Sequence, residues 1–196
     1  MKASDLQLIQ GYAPALDGVF TMPDLKVLFG SSSEAALYKK LAALVGEGIL
    51  IKVKRGIYAL PSASLAVISS RISPASYIST GTVLARALVI GSIPERRIQA
   101  VKVGWPRTYK CELGTIEHLS IKPDLYFGFG NENGVRYACS EKAFLDACYF
   151  RMKGRRLSFD LTEDVNIEIL DSRIVRRFLE AYDKTFVAHV RNMWGF

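Results

Sequence analysis

Gly48-Ile49-Leu50-Ile51-Lys52-Val53-Lys54-Arg55-Gly56-Ile57-Tyr58-Ala59-Leu60-Pro61 holds two β-rich runs on either side of a Lys-Arg-Gly turn. Ile49 to Val53 and Ile57 to Leu60 read as the strands of a hairpin. In an alternating strand Lys52 and Lys54 share one face and Ile51 and Val53 the other. The apolar pair is expected to pack on the helix before it, leaving the lysines outside. Arg55 sits in the turn, where Gly56 can adopt a positive φ that a side chain resists.

Upstream, the pattern is helical three times. Ser4 can cap a helix to about Gly11, with Leu6 and Ile9 at helical spacing. Thr21 can cap a short second helix, with Asp24 in its first turn and Gly30 at its end. Ser32 or Ser33 opens a third through about Gly46, with Leu37, Leu41, Leu44 and Val45 as its apolar stripe. Two short helices, a Gly-Ser turn, an amphipathic helix and a hairpin are the order of a winged helix-turn-helix. The third helix would offer Ala35, Tyr38, Lys39 and Lys40 to a DNA groove. Ser31, Ser32 and Ser33 would set hydroxyls and helix N–H groups where a phosphate can sit. Lys52, Lys54 and Arg55 would run along the backbone as a wing. A serine at a helix start is usually only a cap, and Lys39-Lys40 usually a solvated face. The order of elements together with the basic hairpin favours the groove.

Leu60-Pro61-Ser62-Ala63-Ser64 reads as a break, so the sequence predicts a DNA-binding domain over 1–63 and a second domain over 64–196. The fold class expected is α+β, the second domain being a small mixed helix and antiparallel-sheet unit. Its helices are expected over Ser64 to Arg71, Tyr77 to Val89 and Ser140 to Arg151. Its strands are expected over Ile98 to Val103, Thr108 to Leu113, Ile116 to Ile121, Leu125 to Phe127 and Val135 to Ala138. Asp171 to Trp194 repeats apolar residues at helical spacing. Tyr126, Phe127 and Phe129 are read as core rather than as a stacking platform for bases.

The 196 residues, 49% hydrophobic and 23% charged, leave ample chain for a core and argue against a disordered protein. No apolar run is long enough to span a bilayer, and the first residues lack a signal-peptide pattern. A cytoplasmic protein without a membrane partner is expected. Three separated cysteines suit free thiols, and two histidines with no C-x-x-C argue against a zinc site. The net charge of +7 raises the prospect of a nucleic-acid partner.

Chemistry is harder to find. Gly128-Phe129-Gly130 is not a phosphate loop, and nucleophile elbows are absent. His118 reads as a half-exposed strand residue and Cys148 as a core thiol. Glu112, Glu117, Asp124, Glu141 with Lys142, and Asp146 lie on strands and a helix that could bring them together around Mg²⁺. Glu141 is better explained as a first-turn acid. No enzyme, cofactor or metal is therefore expected. Arg151, Lys153, Arg155 and Arg156 place four positive charges in six residues. They are a candidate phosphate or partner patch.

The hairpin segment resembles the wing of the AbiEi-family antitoxins, the DNA-binding members of type IV toxin–antitoxin systems. So do Ser73-Pro74-Ala75-Ser76-Tyr77-Ile78-Ser79, the following helix with Ala85 and Leu88, and Gln99-Ala100-Val101. Arg107-Thr108-Tyr109, Leu113-Gly114, Ile121-Lys122-Pro123, Phe127-Gly128 and Ser140 to Asp146 continue the likeness. It covers most of Met1 to Phe150, while the region after Arg151 departs from the larger members. The resemblance implies a transcriptional autorepressor that binds its own operator as double-stranded DNA. It also implies opposition to a nucleotidyltransferase-like toxin encoded beside it. A stand-alone regulator whose second domain senses a ligand or forms a homodimer is the alternative, and a metal-dependent nuclease a distant third.

Overall fold

Thr21 ends a strand and starts a helix. Its hydroxyl accepts from the Asp24 N–H, and the Asp24 carboxylate accepts from the Thr21 N–H at 2.8 Å, a reciprocal capping box. The computed structural model describes residues 3–31, 33–93 and 96–196. It divides into two compact units: residues 1–74 with 108–116, and residues 75–107 with 117–196. The first unit therefore runs past the expected boundary after residue 63, because the helix that follows packs on its sheet.

In the first unit α1 (Ala3–Tyr12) leads through a 3-10 turn to β1 (Val19–Thr21), α2 (Met22–Phe29) and α3 (Glu34–Gly46). The hairpin β2 (Ile51–Lys54) and β3 (Ile57–Ala59) follows, then α4 (Leu65–Ile72), capped by Ser64. The sheet order is β1-β3-β2, antiparallel throughout. Ser4 lies inside the first turn of α1 rather than ahead of it. Gly30 closes α2 in the left-handed region, as expected.

The core of this unit joins Ile9, Phe20, Leu25, Leu37, Leu41, Leu44, Leu50 and Tyr58. The α3 stripe is as the spacing predicts, but the hairpin meets it through the other face. Leu50 and Tyr58 join the stripe, whereas Ile51 and Val53 are buried outside that cluster, Ile51 opposite Ala59. The reason is that α4 packs on β1 and β3. The small sheet is thus covered on both sides, and alternation alone does not say which side holds the three helices. A bulge also breaks the alternation. Lys52 opposes Tyr58 and Lys54 opposes Ile57, so Val53 is the extra residue and the two lysines do not share a regular face.

The second unit is α+β. Its sheet has the order β6-β7-β5-β4-β9-β8, and the β6–β7 end, residues 108–116, groups with the first unit. The strands are β4 (Tyr77–Ile78), β5 (Arg97–Lys102), β6 (Arg107–Cys111), β7 (Gly114–Ser120), β8 (Phe129–Glu132) and β9 (Val135–Ala138). The short β4 pairs antiparallel with β5 and parallel with β9. The helix expected over Tyr77 to Val89 is thus a buried strand followed by α5 (Gly81–Arg86), with Thr80 at φ +54° breaking between them. The strand expected over Leu125 to Phe127 is a 3-10 turn, Pro123–Leu125, that precedes β8.

Helix α6 (Ser140–Met152) follows Cys139 at its N-cap position, which makes no side-chain cap bond, and buries every residue from Glu141 to Phe150. A helix hidden all round belongs to the interior. The C-terminal helical region divides into α7 (Ser172–Leu179) and α8 (Lys184–Trp194), each begun by an aspartate cap, Asp171 and Asp183.

Candidate nucleic-acid interface

Burial of Leu37, Leu41 and Leu44 turns the opposite side of α3 to solvent: Ala35, Tyr38, Lys39 and Ala42 are all exposed. They stand at i, i+3, i+4 and i+7, one stripe of the helix. Three of them are legible from the sequence. Ala42 is an addition: it lies seven residues after Ala35, and its small side chain permits close approach in the same way.

Lys40 is a correction. Its ammonium lies 2.8 Å from the Asp5 carboxylate and 4.5 Å from the centre of the Phe29 ring. The charge ties α3 to α1 and α2 instead of facing outward with Lys39. The i+1 neighbour of an outward residue points about 100° away on a helix, which is why Lys39 and Lys40 part.

At the helix start Ser33 is the cap, its hydroxyl accepting from the Ala36 N–H at 3.4 Å. Its own O–H remains a donor. The Ser31 hydroxyl donates to the Ser33 carbonyl at 2.9 Å, so its one proton is engaged within the turn. Ser32 lies outside the described residues. Lys26 at the end of α2 pairs with Glu34 in the first turn of α3 at 2.5 Å, both exposed. Hydrogen bonding and charge from Lys26 lower the Glu34 carboxyl and raise the Lys26 ammonium. Beside this pair Val27 is 84% exposed, an apolar group that no sequence pattern singles out.

The hairpin turns through Arg55 and Gly56, the latter at φ +82°. Lys52 and Arg55 are exposed. Lys54 is half-buried, its ammonium 6.0 Å from the Tyr109 ring centre on the β6–β7 end of the same unit. The Met22 N–H, at the start of α2, donates to the Gly56 carbonyl at 3.0 Å and fastens the hairpin tip to the helical pair. The first unit thus carries an exposed helix stripe of small, aromatic and basic residues together with a basic two-residue turn.

In the second unit Arg151, Lys153, Arg155 and Arg156 are all exposed but serve different surroundings. Lys153 lies over the Tyr149 ring at 4.6 Å, and Arg156 lines a cavity with Arg97.

The carboxylates considered for a metal do not gather. Glu117 accepts from Arg97 and from Gln99, and Glu141 accepts from the Asp171 N–H at 3.1 Å. Burial raises the Glu117 carboxyl, but the bonds from Gln99 and Arg97 outweigh it and the net direction is down. Asp146 is fully buried and accepts from Lys142, Ser79 and Tyr77. Lys142, one helical turn earlier, also donates to the Tyr182 hydroxyl at 3.0 Å. Desolvation raises the Asp146 carboxyl against the pull of that ammonium. Sequence reasoning misses this interior network: its partners come from β4, α6 and the stretch between α7 and α8, which no local pattern joins. No group of three metal-ligating side chains occurs among the described residues.

His118 is buried, not half-exposed, at 1% exposure, and burial lowers its imidazole to about 4. Cys148 is buried, as expected of a core thiol, and desolvation raises it. Tyr126, Phe127 and Phe129, read as core, are half-buried and pack against Tyr77 and Phe178. No described helix is long and apolar enough to cross a membrane.

The solved structure of the RV2827C protein from Mycobacterium tuberculosis is similar in fold. It has a TM-score of 0.61 and 11% identity over 98% of this chain and 76% of that one. No curated protein matches the chain by sequence. The helical pair and hairpin, described above as an exposed stripe beside a basic turn, are also where the chain is similar to a known family: residues 13–61 match the family of AbiEi antitoxin transcriptional regulators.

Proposed function

We propose that the first unit is a winged helix-turn-helix and that the protein is a DNA-binding transcriptional regulator. Helix α3 enters the major groove with Ala35, Tyr38 and Lys39 toward the bases. Ser33 and the first-turn N–H groups meet a phosphate, and Lys52 and Arg55 hold the backbone. The observation that carries this reading is the outward stripe of α3 standing in one unit with the basic β2–β3 turn. The regulator match over this same segment supports it.

The same resemblance supports a finer reading. The protein represses its own operator and, as an antitoxin, opposes a nucleotidyltransferase-like toxin. It is not an enzyme and acts in the cytoplasm, with double-stranded DNA as its partner. A stand-alone regulator is the second reading, favoured by one observation: the family match stops at residue 61 and leaves the second unit outside it.

The test is electrophoretic retardation of DNA from upstream of the gene against a shuffled duplex. Selective retardation is expected. Equal affinity for both duplexes, or none for either, would overturn the operator reading. Co-expression with a neighbouring nucleotidyltransferase separates antitoxin from stand-alone regulator by rescue of growth.

A further inference from the structure

Within the second unit Gly81, Thr82, Ile93, Arg97, Gln99, Arg156, Leu157 and Ser158 line a cavity of about 270 Å³. Its polar wall is built rather than incidental. Thr80 holds φ +54° and ψ −139°, a backbone conformation few side chains adopt. Its hydroxyl donates to Gln99 Oε1 at 2.6 Å, and Gln99 Nε2 donates to Glu117 Oε2 at 2.9 Å. Arg97 closes the chain on the other Glu117 oxygen. Gly81, also on the lining, is closely packed: a Cβ there would lie 3.0 Å from Phe159 Cε1 and 3.1 Å from Ile93 Cγ2.

Charge decides what such a cavity takes. Glu117 answers Arg97, but Arg156 has no hydrogen-bond or salt-bridge partner among the described residues. Thr82 and Ser158, on the same lining, carry hydroxyls able to donate. A guanidinium left open in a concave polar wall favours an oxyanion, which it can bind through two parallel N–H groups. The volume lies just below the usual range of ligand pockets, which suits a small ligand.

We propose that this cavity binds a small phosphate-bearing anion, with Arg156 as its principal cation and Arg97, Thr82 and Ser158 beside it. The ligand chemistry is the phosphate, and its source is either a small molecule or the backbone of bound DNA. The proposal does not rest on the DNA-binding reading.

The experiment uses the full chain with inorganic pyrophosphate as probe, at constant ionic strength with chloride replacing it in the control. A saturable rise in the melting temperature is expected. Arg156→Gln, an exposed site where folding is not at stake, should weaken pyrophosphate binding at least about tenfold. Ser158→Ala should weaken it less. Lys52→Gln/Arg55→Gln should leave it unchanged. Operator retardation by Arg156→Gln separates the two sources: unaltered DNA affinity assigns the site to a small molecule, and weakened binding of both DNA and pyrophosphate assigns it to backbone phosphate. Absence of saturable pyrophosphate binding, or binding indifferent to Arg156→Gln, overturns the proposal. Failure of the parent protein to retard any DNA would overturn the regulator reading and leave the pyrophosphate result standing.

Discussion

Replacing Lys52, Lys54 and Arg55 with glutamine would measure how many phosphates the proposed wing holds. Each phosphate that the variant no longer neutralises should flatten the slope of log affinity against log salt by about 0.9. Three free cations would give about 2.7. The structure reduces that number, because Lys54 is half-buried against Tyr109 while Lys52 and Arg55 are exposed. The expected change is therefore about 1.8, from two phosphates. Between about 50 and 200 mM salt the parent's affinity should then fall by about twelvefold more than that of the triple variant. The assay is fluorescence anisotropy on operator and random duplexes across that range. Both should weaken by similar factors, since phosphates carry no sequence. Lys54→Gln alone should change the slope by well under about one unit. A weakening confined to the operator with an unchanged slope would mean that the hairpin reads bases. Unchanged affinity for both duplexes would mean that it is a solvated turn.

Four further outcomes are expected. Lys39→Ala should cost about 1–3 kcal/mol of operator binding, and Ala35→Glu should also weaken it; unchanged anisotropy titrations with folding intact would remove α3 from the groove. Asp146→Ala should destabilise the fold by about 3–5 kcal/mol in urea, because it strands the buried Lys142 ammonium, while Lys142→Met/Asp146→Leu should recover much of the stability. A cost below about 1 kcal/mol would mean the ion pair is not formed. His118 titrates near 4 when folded against 6.5 as its ordinary value, so the unfolded chain binds the extra proton. Its contribution is present above pH 6.5 and is lost as the pH falls toward 4. The decline is at most about 2 kcal/mol between about pH 7.5 and 5, and His118→Gln should flatten that part of the urea-midpoint profile. Finally, the chain carrying Lys39→Ala with Lys52→Gln and Arg55→Gln should still rescue growth against a cognate toxin, whereas failure to rescue would tie neutralisation to DNA binding.

Local rules carry the first unit a long way. Thr21 with Asp24, Gly30, Ser64 and the Arg55-Gly56 turn each act within four residues, so their geometry is written where they stand. The strand Val19–Thr21 is only three residues long and leaves no periodic trace. The orientation of Ile51 and Val53 depends on α4, which arrives later in the chain. Tyr77 to Val89 departs from expectation for a similar reason. Tyr77 and Ile78 are a strand because β5 and β9 flank them, and a short apolar run does not declare its period. In the candidate interface, the outward α3 stripe follows from the leucine spacing. The withdrawal of Lys40 requires knowing that Asp5, thirty-five residues earlier, meets it. The Lys142–Asp146 spacing of four is visible in the sequence, but its burial beneath Tyr77 and Tyr182 is not.

The bond from the Met22 N–H to the Gly56 carbonyl has a consequence for how the first unit would engage a duplex. It joins the hairpin tip to the first turn of α2, and the Lys26–Glu34 pair links the end of α2 to α3. Under the winged-helix proposal, backbone and groove contacts would be spaced by a preorganised frame, with less chain entropy to lose on docking. A rigid spacing transfers the burden of adjustment to the nucleic acid. Base steps that widen or bend easily would be favoured even where no side chain touches them, so that part of the selectivity would reside in the stiffness of the DNA.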